Sequence, residues 1–493
     1  MNELEKLKEY QKEINNIEFI LNTLNWELRT KAPKGSIDYL IGVKAELDLK
    51  KFKMSSSKKY GKLLSDVLNS NDFNDLPIIE QRYIQFLKKN MVKNQSVPDD
   101  FHKEYIILCD KTNSIWEKAK EENNYDIFKP YLKDVIEMTK KLYSYIYPDV
   151  KVYDAMLNDY EIGMTTERID VLFEQIKESL KPLVKSVVAR NCSFEQKAVG
   201  NYSDGDLIIA ANFLLDYIGF DLNRGALGTY PHGFTEKMNN YDVRIAFKNT
   251  SSVTSFVSTI IHEGGHGIFE QNIDSSLYPY TNHCAEYCNG LHESQSRFYE
   301  NILGRNINFW KPIYNDIKRI FNLNLSIEEF VAELNKVEQS LIRIESDELT
   351  YCFHIIIRYE IERDIFSGKL DVDDLPKVWN EKMEEYLGIK PNTYSDGILQ
   401  DVHWSEGAFG YFPSYLIGNI FDGMLKEKIE TELGGIDDIL ASGNIKLITK
   451  WLNDNVHING GAYSGIEAIE GICKEKITSQ PIIKYFTDKY KNI

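Results

Sequence analysis

Residues 251–271 read SSVTSFVSTIIHEGGHGIFEQ, and this stretch sets the reading of the whole chain. Phe256, Val257, Ile260, Ile261, Ile268 and Phe269 cover much of a helix circumference, the pattern of a buried helical element. On that helix His262 and His266, four residues apart, project from one face and can bind one metal ion. Glu263 lies about 100° further round at 3.6 residues per turn, so it reaches water at the ion without being a ligand. Gly264, Gly265 and Gly267 would each cost roughly 1 kcal/mol relative to alanine in a helix interior. They are therefore expected where another backbone packs closely.

A catalytic zinc site takes three protein ligands and keeps one position open. The next helical stretch, NGLHESQSRFYENILG (residues 289–304), offers both His292 and Glu293. A His-His-Glu set is an established hydrolytic combination, and a glutamate 27 residues after His266 fits the gluzincin arrangement. Glu293 is accordingly taken as the third ligand and His292 as a hydrogen-bonding neighbour. Cys284 and Cys288 invite a metal-pair reading, but with no second pair they read as buried thiols.

Working outward, the pattern stays helical. Leu4, Leu7, Ile14, Ile17, Phe19, Ile20 and Leu24 mark a first long amphipathic helix, and similar periodicity recurs to the C-terminus. Turn-rich breaks fall at 96–100, 191–206, 388–397, 434–443 and 455–465, and read as loops within one large unit covering residues 1–493, with two lobes flanking a groove as the variant of that reading. One stretch departs from the pattern. Gly225 to Phe234 and Tyr241 to Phe247, where Val243, Ile245 and Phe247 alternate with Arg244, Ala246 and Lys248, predict a small β-ribbon beside the HEGGH helix. The expected fold is mainly α, one large helical unit with this small ribbon next to its metal-binding helix.

Composition narrows the function. The 493 residues are 43% hydrophobic, enough for a large core, and carry a formal net charge of −17. A surface so acidic is unsuited to nucleic acid, and no apolar run is long enough to anchor in a membrane. The charged start MNELEKLKEY is unlike a secretory leader, and six scattered cysteines form no disulfide framework, which together predict a cytoplasmic protein.

Further motifs then resemble one family, the carboxypeptidase Taq metallocarboxypeptidases, over nearly the whole length. LNWELRTKAPKG (residues 24–35) is similar to that family's N-terminal signature, with Glu27 where Asp is usual. HEGGH and HES match outright, IRIESD (342–347) resembles IRxxAD, and GILQDVHW (397–404) fits GxxQDxHW. GYFPSYLIGN and the C-terminal WLNDNVHINGGAYSG are similar to the family's continuation. Two motifs depart: His232-Gly233-Phe234 stands for His-Pro-Phe, and Asp242-Val243-Arg244-Ile245-Ala246 for DxRxT. Glycine frees the backbone where proline fixes it, so cleavage preference is expected to change more than chemistry.

The resemblance implies an almost wholly helical homodimer, one zinc or cobalt ion per subunit at the floor of a groove, and removal of C-terminal amino acids from peptides with a free C-terminus. It implies that the loop from His232 to Phe234, the DxR strand and the IRxxAD helix close one end of the groove. Arg343 and Arg244 then receive the terminal carboxylate, with Gln400 of the QDxHW segment beside them. Glu263 is the general base, and His403 with Tyr415 or Tyr411 stabilises the oxyanion; the spacing of twelve from His403 favours Tyr415. Plainer readings stand beside these: a packed loop histidine at 232, an ordinary buried tyrosine, an ion pair of Arg343 with Glu345, Asp347 or Glu348, and one of Arg244 with Asp242. A dipeptidase or oligopeptidase with the same metal site, and a non-catalytic zinc scaffold, are the alternative functions.

Overall fold

The computed structural model describes residues 2–190, 196–280 and 288–491. Cys284 and the head of the 191–206 stretch lie outside them. About 70% of the chain is helical. The first helix, Glu3–Thr30, starts with a capping box in which the Asn2 side chain accepts from the Glu5 N–H. It buries Leu7, Ile14, Ile17, Leu21 and Trp26, whereas Ile20 faces outward. The apolar stripe drifts round so long a helix, and Leu21 takes the place that Ile20 was expected to fill. A contiguous cluster of buried apolar side chains extends from Leu7 to Tyr490. Among the described residues no helix is long and apolar enough to cross a membrane.

The ribbon is larger than expected. Three strands, β1 (Gly225–Thr229), β2 (Phe234–Asn239) and β3 (Asp242–Phe247), form a mixed sheet in the order β1-β3-β2. β1 runs parallel to β3 and β2 antiparallel to it. The strand FTEKMN was hidden in the sequence because it buries the polar Lys237 as well as Met238. Phe234 and Met238 pack with Trp26 on one side. On the other, the buried Lys237 ammonium is neutralised by Glu270 at 2.6 Å.

The HEGGH helix, Val253–Gln271, is capped by Ser252, which accepts from the Ser255 N–H. It packs against the HES helix, Asn289–Arg297, which also lies along the helix Pro413–Leu433. Glycines explain the closeness. A Cβ on Gly265 would meet the Gln295 carbonyl oxygen at 2.6 Å, and one on Gly418 would meet the Gly290 oxygen at 3.0 Å. Gly264 and Gly267 make room for the side chains of Leu215, Ile218 and Phe220 instead. The buried Glu161 accepts the Gly290 N–H at the start of the HES helix, and Ser294 Oγ donates to Asp422 at 2.7 Å. IRIESD is not helical: Arg343–Glu345 form a single 3-10 turn before the helix Tyr351–Phe366.

Candidate metal centre and active site

The close HEGGH–HES contact brings His262, His266 and Glu293 together, with one ligand atom of each within 4.8 Å of the others. His266 Nε2 and Glu293 Oε2 are 3.4 Å apart. Two donors on a tetrahedral zinc at about 2.0–2.2 Å would stand roughly 3.3–3.6 Å apart, so the residues fit the ion. Cys288 is buried and, among the described residues, belongs to no such cluster.

Each ligand is held from behind. Glu300 Oε2 lies 2.9 Å from His262 Nδ1, which fixes the ring and leaves Nε2 for a metal. Arg297 Nε donates to Glu293 Oε1 at 2.8 Å, leaving Oε2 free. The ring of His292 stacks on His266 at 4.4 Å, and its Nε2 is 3.1 Å from Glu270 Oε1. The half-buried His292 thus links His266 to the buried Glu270–Lys237 pair. Burial opposes a charged His262, but Glu300, Glu293 and Glu263 raise it to about 9, so the position favours a cation. Burial and the neighbouring His292 push His266 down to about 4, the neutral form a metal requires. Glu293 stays ionised despite burial, because Arg297 and the two histidines lower it.

Glu263 stands beside the ligands and is nearly buried. Thr235 Oγ1 donates to its Oε2 at 2.7 Å. Burial raises its pKa, partly offset by His262 and Thr235, which strengthens it as a base. A Cβ on Gly233 would lie 2.9 Å from Glu263 Oε1, so a side chain in the altered loop would crowd this carboxylate. His232 is exposed there, edge-on to Tyr230 at 4.8 Å.

A second group of residues adjoins the first. Arg297 lies over the Tyr351 ring at 3.9 Å, and the Tyr351 hydroxyl accepts from Arg343 Nη1 at 3.0 Å. Arg343 Nε donates to Asp401 Oδ1 at 2.9 Å, and Arg358 Nε to Oδ2 at 2.7 Å. Two guanidinium groups sharing one carboxylate leave one positive charge in excess. Gln400 accepts from the Arg343 N–H and from Arg358, and donates to Leu341 O and Asp396 O. That uses its full capacity, so it braces the cluster and has nothing left for a ligand.

His403 packs against Phe412 at 4.4 Å and Tyr411 at 5.5 Å, and Tyr411 against Tyr415 at 5.4 Å. Burial, with Arg343 and Arg358, pushes His403 down to about 4. Burial also raises both phenols, Tyr411 to about 12. For Tyr411 the charge of Glu293 is the leading electrostatic influence after burial, while for Tyr415 it follows Tyr411, Arg343 and Tyr351.

The chain matches the carboxypeptidase Taq (M32) metallopeptidase family model over residues 6–490. The chain belongs to that family. It is 38% identical to carboxypeptidase 1 of Bacillus subtilis over 479 residues, covering 95% of this chain and 94% of the relative. It is 30% identical to thermostable carboxypeptidase 1 of Thermus thermophilus over 500 residues, covering 99% and 98%. The solved M32 carboxypeptidase from Deinococcus radiodurans superposes with a TM-score of 0.95 at 28% identity, covering 100% of this chain and 99% of that one. This M32 protein is a metallocarboxypeptidase.

Two residues implied by the resemblance stand elsewhere. In this M32 chain Arg244 is on the face of β3 opposite Thr235, 5.8 Å from the Trp26 ring, with its fork on Asp242 at 2.9 and 2.7 Å. Phe234 shares that face, between Trp26 and Tyr230 at 5.6 and 5.2 Å. Glu300, Arg297 and Thr235 were missed by sequence reasoning. The signal for Glu300 was its spacing of seven from Glu293; the π-helical turn Phe298–Leu303 carries it back beneath His262.

Proposed function

We propose that this M32 carboxypeptidase works with one zinc or cobalt ion held by His262, His266 and Glu293, and removes single residues from peptides with a free C-terminus. The observation that carries the reading is the convergence of three donors with Glu263 held beside them by Thr235. When bound, a divalent ion there acts as a Lewis acid on a carbonyl and lowers the pKa of water to about 7. Glu263 takes a proton from the attacking water and delivers it to the leaving amine nitrogen. His403 is neutral and keeps an N–H, and the raised phenols of Tyr411 and Tyr415 keep their O–H. These groups donate to the carbonyl oxygen as negative charge develops.

Arg343 supplies the terminal recognition. Its Nε and Nη1 are bound, and among the described residues Nη2 has no partner, so one nitrogen faces the peptide carboxylate with the excess charge of the Arg343–Asp401–Arg358 cluster behind it. Arg244 is the second choice, since Asp242 occupies its fork. His232, exposed in the loop beside Glu263, borders the closed end of the peptide groove, while Phe234 supports that loop from behind through Tyr230. The buried cluster that runs from Leu7 to Tyr490 supports reading residues 1–493 as one unit, and the family likeness supports a homodimer working in the cytoplasm. The test is to give the metal-loaded protein free and C-terminally amidated copies of one peptide and follow products by mass. Stepwise loss of single residues from the free form alone is expected, abolished by chelation and by Glu263→Gln with the ion still bound. Internal cuts in both forms would overturn the reading.

A further inference from the structure

Residues 401–411, which carry His403 and Tyr411, form turns only, with positive φ at Gly407 (+73°) and Gly410 (+85°). No helix or strand ladder fixes that backbone. Glu362, fully buried on the helix Tyr351–Phe366, does so from beneath. Its Oε1 accepts from Trp404 Nε1 at 2.7 Å, and its Oε2 from the Gly410 N–H at 2.8 Å and the Tyr153 hydroxyl at 2.9 Å. The two loop anchors stand next to His403 and next to Tyr411. Gly410 could not be another residue: besides its φ, a Cβ would meet the Met156 backbone at 3.0 Å. The helix Val152–Tyr160 closes the arrangement, giving Tyr153 to Glu362 and the Tyr160 ring to Tyr411, edge-on at 5.1 Å.

We propose that Glu362 is a positioning residue for the reaction, one carboxylate that clamps both ends of the His403–Tyr411 loop so that its donors stand ready for the developing oxyanion. A carboxylate suits the task because each of its oxygens accepts more than one bond, and all three donors are neutral. The inference rests on the reading that His403 and Tyr411 act at the carbonyl oxygen. Glutamine has the same shape but one accepting oxygen, so Glu362→Gln must turn an N–H toward Trp404 or Gly410. Trp404→Phe keeps the ring and deletes one donor.

Since two of the loop's hydrogen bonds converge on this one buried carboxyl, kcat should fall about tenfold or more in Glu362→Gln and less in Trp404→Phe, with KM within about threefold. Metal content should be unchanged. Affinity for a phosphinic peptide, whose tetrahedral anion mimics the transition state, should fall with kcat/KM, while affinity for a released amino acid stays. A kcat within about twofold of the parent in Glu362→Gln would overturn the proposal. So would equal losses of phosphinate affinity, amino-acid affinity and metal content, which mark a general structural defect. If Glu362→Gln does not fold, the same criteria apply to Trp404→Phe. Tyr411→Phe and His403→Ala losing kcat while Glu362→Gln keeps it would sink the clamp alone; all three keeping it would bring down the oxyanion reading as well.

Discussion

Arg343 shows how one side chain can be both buried and available. Asp401 and Tyr351 fix its plane, so in the role proposed for it the remaining nitrogen would bind a carboxylate at less entropy cost than a free arginine. A charge-assisted hydrogen bond is worth roughly 1.5–3 kcal/mol, so Arg343→Ala should lose about ten- to a hundredfold in kcat/KM on free peptides. Its preference for free over amidated peptides should shrink in steady-state assays; an unchanged preference would move the anchor to another cation. Glu300 acts one bond further back. With Glu300→Ala the His262 Nδ1 loses its partner, and metal affinity should drop about 10–100-fold, measured by competition with a chelator. An unaltered affinity would mean that the ring is oriented by packing alone.

At the scale of elements, the site depends on the HES helix being pressed between Gly265 and Gly418. Gly265→Ala puts a methyl group against the Gln295 carbonyl and should cost about 1–3 kcal/mol in denaturant unfolding, with metal affinity falling too. Full stability with intact metal binding would show that the two helices separate freely. Much of this was legible. Helical spacing exposed His262, Glu263 and His266, and the glycines announced a close contact, though only Gly265 meets a backbone. The sequence could not show which charges pair across the fold. Arg343 was weighed against Glu345, Asp347 and Glu348, its neighbours along the chain, yet its carboxylate is Asp401, 58 positions away. For the same reason Gln400 read as a substrate contact when its amide is consumed by Arg343, Arg358, Leu341 and Asp396. β2 escaped because alternation signals an apolar inner face, and the residue it buries beside Glu270 is the polar Lys237.

Over the whole molecule, the ends are tied to the same core as the site. The first helix holds β2 through Asn22 Nδ2, which donates to the Lys237 carbonyl at 2.8 Å, and the last helix places the Tyr490 hydroxyl 2.7 Å from Glu348 Oε1. Charge is also a property at this scale. The formal charge is −17, while the Arg343–Asp401–Arg358 cluster carries an excess positive charge that is largely buried. A peptide terminus diffusing inward therefore meets repulsion first and attraction last. Salt weakens the two unequally: at 0.15 M, exposed charges are screened beyond about 8 Å, whereas buried ones are screened far less. Modest ionic strength should accordingly speed the capture of acidic peptides and slow that of lysine-rich ones, read as opposite slopes of kcat/KM against salt. Identical slopes for the two would mean that the long-range field plays no part, and that encounter is decided only at the mouth of the groove.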